Sequence, residues 1–354
     1  FALSVAAANK YWVGASGTTN APTSGTWQTT TPTVWSDGAA STANAVWTAG
    51  DTAYFGGADG TYAITVGGAI SGQGISFLNS GYTLSAASAQ TVSMPSASGF
   101  AAPQLRLGAG VTATIGTNVT VQNSQATGLW IGADGANAGG TLNISGKVAQ
   151  NSANTGGIDG FGTVVNVLPG GSLLGPTGSS SGGYVVGRNA GADCTVNVNG
   201  GTFGITSGNT VAMTIGNSGT GTVSVVSGAF TMSKDTGNGI VLGSAAGIPG
   251  ILNLNGGVTT TPKISMGAAG TVSVLNFNGG TLKANANTAA FINGLTTVNV
   301  RNGGAIIDSQ GFGITVGQAL PHSAIAGDAA TDGGLTKLGT GTLTLTGSNT
   351  YNGT

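Results

Sequence analysis

A short phrase recurs through the second half of this chain and limits what it can fold into. Between Tyr184 and Leu282 the sequence reads YVVGRN and CTVNVNGGTF, then MTIGNS and GTVSVVSGAF, then IVLGSA and ILNLNGGV, then ISMGAA and VSVLNFNGGTL. Each unit holds an apolar triplet ending in Gly, a turn of small residues, an alternating strand and a Gly-containing turn. The triplet glycines are Gly187, Gly216, Gly243 and Gly267, at steps of 29, 27 and 24 residues. Self-similarity at this period means a solenoid, a propeller or an array. A propeller blade needs about 40–45 residues and four strands, too many for this period. One coil of a parallel β-helix fits.

In such a coil each strand bonds to its equivalent one coil away, about 4.8 Å along the axis. Alternation in VNVNG and LNLNG sends Val and Leu inward and Asn outward. Gly takes the φ > 0 corners. Asn143, Asn166, Asn197, Asn253, Asn276 and Asn299 fall at matching strand positions. They are expected to stack as a ladder, which stabilises piled strands; the alternative use is a polar face for glycan contacts. Leu129-Trp130-Ile131-Gly132 is an earlier copy of the triplet, and Val164 to Leu173 supplies another alternating strand. The expected fold is therefore all-β, a single-stranded parallel β-helix (β-solenoid). Coil length favours a right-handed one.

Composition agrees with that fold and narrows the function. Only 5% of residues are charged, against about 25% in ordinary domains. Glutamate is absent, and the formal net charge is −1. No basic stripe exists to neutralise a phosphate backbone, which argues against nucleic-acid binding. Weak charge repulsion permits self-association. No apolar run approaches the roughly 18 residues of a transmembrane segment. Cys194 is the lone cysteine, so stability must come from stacking and burial rather than an internal disulfide.

Three regions follow. Residues 1–60 form an N-terminal segment and Trp-rich cap, 61–310 the β-helix body, and 311–354 a C-terminal stretch of different pattern. Phe1, Leu3 and Val5 alternate with smaller residues and precede Ala6-Ala7-Ala8. This stretch reads as the tail of a secretory signal in a sequence that begins inside its precursor. A second reading is a strand, laid on a neighbouring subunit's open edge or on the chain's own first coil. Trp12, Trp27, Trp35 and Trp47 all lie in the first seventh of the chain. They are expected to plug the end of the solenoid, since terminal repeats must cap the core; stacking on sugars is the functional alternative. Asp51 is expected to bond turn backbone.

The last stretch reads GGLTKLGTGTLTLTGSNTYNGT. Its Gly334, Leu335, Lys337, Gly339, Gly341 to Leu345, Gly347, Asn349, Thr350, Tyr351 and Gly353 form a dense motif. It closely resembles the passenger-associated repeat of bacterial autotransporters, of the form GLxKxGxGTLTLTGxNTYTG. The spaced Trp residues followed by GDTAYFGG also look like the start of such passengers. The resemblance implies a β-helix, secreted or exposed on a Gram-negative-type cell surface, whose final coils assist export and folding. It also implies an outer-membrane barrel further on, whereas this chain stops at Thr354. A cleaved passenger, a fragment of a longer chain and a relative that assembles differently are the readings left open. The motif carries no catalytic residue.

β-Helices also host polysaccharide lyases and hydrolases, which need convergent carboxylates. Asp134, Asp159 and Asp193 fall on neighbouring coils, with Arg188 near them. They are the best acid constellation in the sequence, though turn Asp is the simpler reading. His322 is the only histidine. No GxSxG elbow accompanies it, so a Ser–His–Asp arrangement is not expected. Cys194 reads as a core residue. Gly156 to Gly162, GGIDGFG, lacks the repeated Asp register of a Ca²⁺-binding repeat. No catalytic, metal or cofactor site is expected, and no enzyme activity.

The leading expectation is a secreted structural subunit of an extracellular fibre, joined end to end into a homopolymer. The interface would involve Phe1, Leu3, Val5 and Trp12 at one end and Leu335, Leu343, Leu345 and Tyr351 at the other. A monomeric passenger acting as an adhesin on surface glycans is the alternative. A polysaccharide-acting enzyme comes third.

Overall fold

The computed structural model describes residues 8–14, 17–30, 34–38, 42–94, 105–123, 128–133, 139–151, 154–177, 183–206, 212–233, 237 and 239–354. These residues are all-β, with no helix, and the strands stack in parallel as a β-solenoid. Among them no helix is long and apolar enough to cross a membrane.

Each coil of the body contributes three short strands, so the solenoid has three faces. The triplets build the first face. Its Ile131, Ile158, Val186, Ile215, Leu242 and Met266 follow one another in register from coil to coil. The alternating strands build the second face, where Leu142, Val165, Val196, Val223, Leu252, Leu275 and Val298 form one inward column. A third face follows the Gly turns. Its inward column runs Val121, Val148, Leu173, Phe203, Phe230, Thr259, Leu282 and Ile307. Nearly all these inward side chains are shut off from solvent, and they form one continuous core along the axis.

The corners explain the glycines. Gly187 and Gly216 end their triplets at φ 84° and 77°, a region that side chains with a Cβ rarely adopt. A Cβ on Gly216 would also sit 2.2 Å from the Pro249 carbonyl oxygen of the next coil. Gly267 ends its triplet without positive φ. There the constraint is space alone, since a Cβ would lie 2.2 Å from the Gly243 oxygen.

The expected polar ladder is present on the outer side of the second face. Asn166 Nδ2 donates to Asn143 Oδ1 at 2.9 Å, and Asn197 Nδ2 to Asn166 Oδ1 at 2.9 Å. Ser224 stands at the next rung, where it accepts from Asn253 Nδ2 at 3.0 Å. Asn276 and Asn299 then each donate to the rung before at 2.7 Å. Asn166, Asn253 and Asn276 thus each give one hydrogen bond and take one, along the same axis as the backbone ladder.

The N-terminal end is plugged as the tryptophans suggest. Trp12, Trp27 and Trp35 are at most 1% exposed. Their rings meet edge to face at 5.0–5.4 Å, and Trp47 packs on Trp27 at 4.9 Å. Phe55 lies against Trp12, Trp27 and Trp35 and stacks on Phe77 of the next coil at 5.2 Å, joining plug to core. Strand Trp35–Ser36 covers the first-face edge by pairing antiparallel with Asn9–Trp12. On the third face, Trp47 Nε1 and the Gly50 N–H both donate to the Ser71 carbonyl. Asp51 takes hydrogen bonds from the Ala8 and Thr48 N–H groups, the turn role expected for it.

Candidate functional site at the end of the solenoid

The last coils, toward Thr354, are built differently. Strand Leu335–Leu338 continues the third face by pairing with Ala305–Asp308, and Leu343–Leu345 continues the first by pairing with Ile314–Val316. No described strand lies on the far side of either. The residues beneath, Ala305, Ile307, Ile314 and Val316, are at most 2% exposed. Above them Leu335, Leu343, Leu345 and Tyr351 pack on the core and are partly buried. Four of the residues expected at an interface thus share one apolar ledge.

Lys337 modifies that ledge. It follows Ile307 in register, so a charge holds the rung where each earlier coil but Thr259's has an apolar side chain. Its ammonium reaches the Gly339 carbonyl, as a lysine stem does when it lies along apolar surface and lifts its head to water. A charge at an inward position blunts an open sheet edge.

The residues expected at the other end fall differently. Phe1, Leu3 and Val5 lie outside the described residues. Trp12 is walled into the plug, with Nε1 donating to the Thr23 carbonyl at 2.8 Å. It is a cap residue in this fold, and its ring is not on the surface.

A carboxylate clasp holds the last coil to the body. The Asp332 side chain is fully buried and accepts from the Gly334, Asn352 and Gly353 N–H groups at 2.8–2.9 Å, with His322 Nδ1 at 3.0 Å. Burial alone would raise its pKa. The three backbone donors and His322 outweigh burial and hold the carboxyl below its usual value. Nearby, the Arg301 guanidinium grips Asp328 with two bonds of 2.8 Å, and the Ser323 hydroxyl donates to the same carboxylate at 2.6 Å. The Arg301 fork, then Ser323, push the Asp328 pKa down to about 2. Sequence reasoning missed both acids, because nothing in their spacing marks the loop that brings them together. His322 does acquire an acid partner. The adjacent serine is turned to Asp328 instead, so no nucleophile–base pair forms.

The acid constellation does not converge either. Asp159 accepts from the Gly160 N–H at 2.8 Å and from the Asn189 N–H and Nδ2 at 3.2 and 2.5 Å. Its carboxylate is occupied by its own turn and the next coil's. Asp193 is exposed, and Asp134 lies outside the described residues. Arg188 covers the ring of Trp130, its guanidinium carbon 4.1 Å from the centroid. Cys194 is fully buried and donates to the Gly160 carbonyl at 3.3 Å, and burial, reinforced by Asp159, pushes its thiol up to about 12. Such a thiol is a core residue, with almost no thiolate at neutral pH. Among the described residues no three His, Cys, Asp or Glu side chains gather where they would hold a metal.

No protein-family model matches the chain, and no curated protein or solved structure does.

Proposed function

We propose that this chain is a secreted structural subunit of an extracellular fibre, assembled end to end through its solenoid termini. The observation that carries the reading is the ledge of Leu335, Leu343, Leu345 and Tyr351 with two one-sided strands beside it. Another coil laid there would complete both edges and the core together. At the other end strand Gly25–Trp27 bonds, among the described strands, to Tyr62–Val66 alone, and it offers a matching edge. A head-to-tail contact between unlike ends does not close, so it grows into a filament. Low charge removes the usual barrier to that growth. The resemblance of Gly334 to Gly353 to an autotransporter repeat supports a place at the bacterial cell surface.

A second reading is a passenger that stays monomeric and acts as an adhesin. Lys337 favours it, since an inward charge opposes stacking, and so does the plug over two of the three faces at the N-terminal end. Light scattering and electron microscopy at rising protein concentration separate the two. The fibre reading expects mass that climbs with concentration, falls in Leu343→Lys and Leu345→Lys, and rises in Lys337→Leu. Isolated rods of monomer mass at every concentration, unchanged by these substitutions, would leave the adhesin reading.

A further inference from the structure

A surface groove of about 390 Å³ opens where the asparagine ladder stops, lined in part by Thr297, Asn299, Gln318, Pro321, His322 and Ala324. We propose that it binds one neutral hexose unit of a glycan. The groove lies beside the last coil, since Pro321 bridges to Thr350, but none of the ledge residues lines it.

The ladder supplies the first group. Asn299 donates down to Asn276, and no described residue donates to its Oδ1. His322 bridges to Val300, so Pro321 takes the next rung above Asn299. Proline has no side-chain amide, and the run of amides ends with a carbonyl oxygen facing the groove. The second group is Gln318. Its Oε1 accepts from the Leu295 N–H at 2.8 Å, which fixes the amide and leaves Nε2 as a donor. The third is His322, whose Nδ1 is held by the ionised Asp332, so the ring is anchored and Nε2 is left. The Thr297 hydroxyl stands beside them. The groove therefore offers acceptors and donors together, each oriented by a bond behind it. A sugar hydroxyl both gives and takes a hydrogen bond, which suits such a mixed set.

Charge and shape narrow the class. The nearby cation, Arg301, is already matched by its two bonds to Asp328, and the His322 ring is matched by Asp332, so an anionic sugar or phosphate finds no unmatched cation. Pro321 and Ala324 supply apolar surface for the C–H face of a pyranose. A volume of about 390 Å³ admits one ring and lets its neighbours run out into solvent.

The protein has one histidine, so the His322 ring protons give a single NMR signal set that reports on this groove. Glucose, galactose, mannose and N-acetylglucosamine are titrated separately into the full chain. At least one should shift the His322 signals saturably, with Kd on the order of 1 mM for a single ring. Gln318→Ala should weaken that binding about tenfold. Ala324→Trp, at an exposed loop position, should abolish it by filling the groove, while Ser88→Trp, exposed on a distant coil, should leave it unchanged. The proposal is overturned if none of the four sugars gives a saturable shift, or if the shift survives Ala324→Trp. It is equally overturned if only glucuronic acid or inorganic phosphate binds.

Discussion

Asn276 is the most revealing residue to change, because it sits inside the ladder with both of its bonds made. It donates to Asn253 and accepts from Asn299, each at 2.7 Å, and is 7% exposed. Asn276→Ala removes both bonds and strands an acceptor below and a donor above. At a net 0.5–1.5 kcal/mol each, the loss should be about 1–3 kcal/mol. Asn299→Ala, at the ladder's end, removes one bond and should lose about half as much. Ser224→Asn runs the other way: an amide there would give to Asn197 and take from Asn253, a gain of about 1 kcal/mol. Asn276→Asp is the sharper probe. A carboxylate still accepts from Asn299, but it cannot donate to Asn253, and two oxygens then face each other. Burial and that contact raise the folded-state pKa of the new acid, so the variant's stability should be lowest at neutral pH and recover as pH falls through that value. Urea unfolding followed by circular dichroism measures all four. Equal losses at positions 276 and 299, both under about 0.5 kcal/mol, would show that water replaces the ladder at no cost and that it only decorates the fold.

The remaining predictions concern the core, the plug and the clasp. Thr259 stands in the apolar column of the third face, 1% exposed, with its hydroxyl unpartnered; Thr259→Val should stabilise by about 1–2 kcal/mol in the same urea assay. Trp35→Ala should cost about 3–5 kcal/mol and free the N-terminal strands first, seen as early loss of amide protection at residues 9–55 in hydrogen exchange. Asp328 and Asp332 have folded-state pKa values below the usual 3.8, so the stability they lend is present above that value and lost as pH falls through the lowered ones. Exchange protection of residues 334–353, corrected for intrinsic rate, should therefore hold at about pH 5 and fall between about pH 4 and pH 2. Asp332→Asn should expose the same segment at neutral pH.

Much of this architecture is legible in the sequence because a solenoid is nearly one-dimensional. VNVNG, LNLNG and LNFNG announce inward and outward positions directly, and equal spacing then fixes the neighbour of each residue in the next coil. The Trp plug is legible for the same reason: four large rings at one end of a repeat array have only one place to be buried. The third face is harder to see. Its strands follow Gly turns of variable length, so Thr259 and Lys337 do not show as members of the column of Leu173 and Phe230 until coils are in register. The clasp was illegible for another reason. His322, Asp328 and Asp332 come together through one irregular loop folding back on Arg301 and the last residues, and no periodicity encodes such a return. Trp12 was legible as a cap residue; how completely the plug encloses its ring was not.

The central claim is that each repeat adds one strand spacing along a single axis. Outward positions Lys147, Ser172, Thr202, Ala229, Val258, Thr281, Ile306 and Thr336 follow one another by register on the third face. Spin labels at 147 and 258 span four coils and at 147 and 336 seven, and double electron–electron resonance should give about 19 and 34 Å between backbones. Separations that grow by one strand spacing per coil are the predicted result; separations that fail to grow with coil number would contradict the stack.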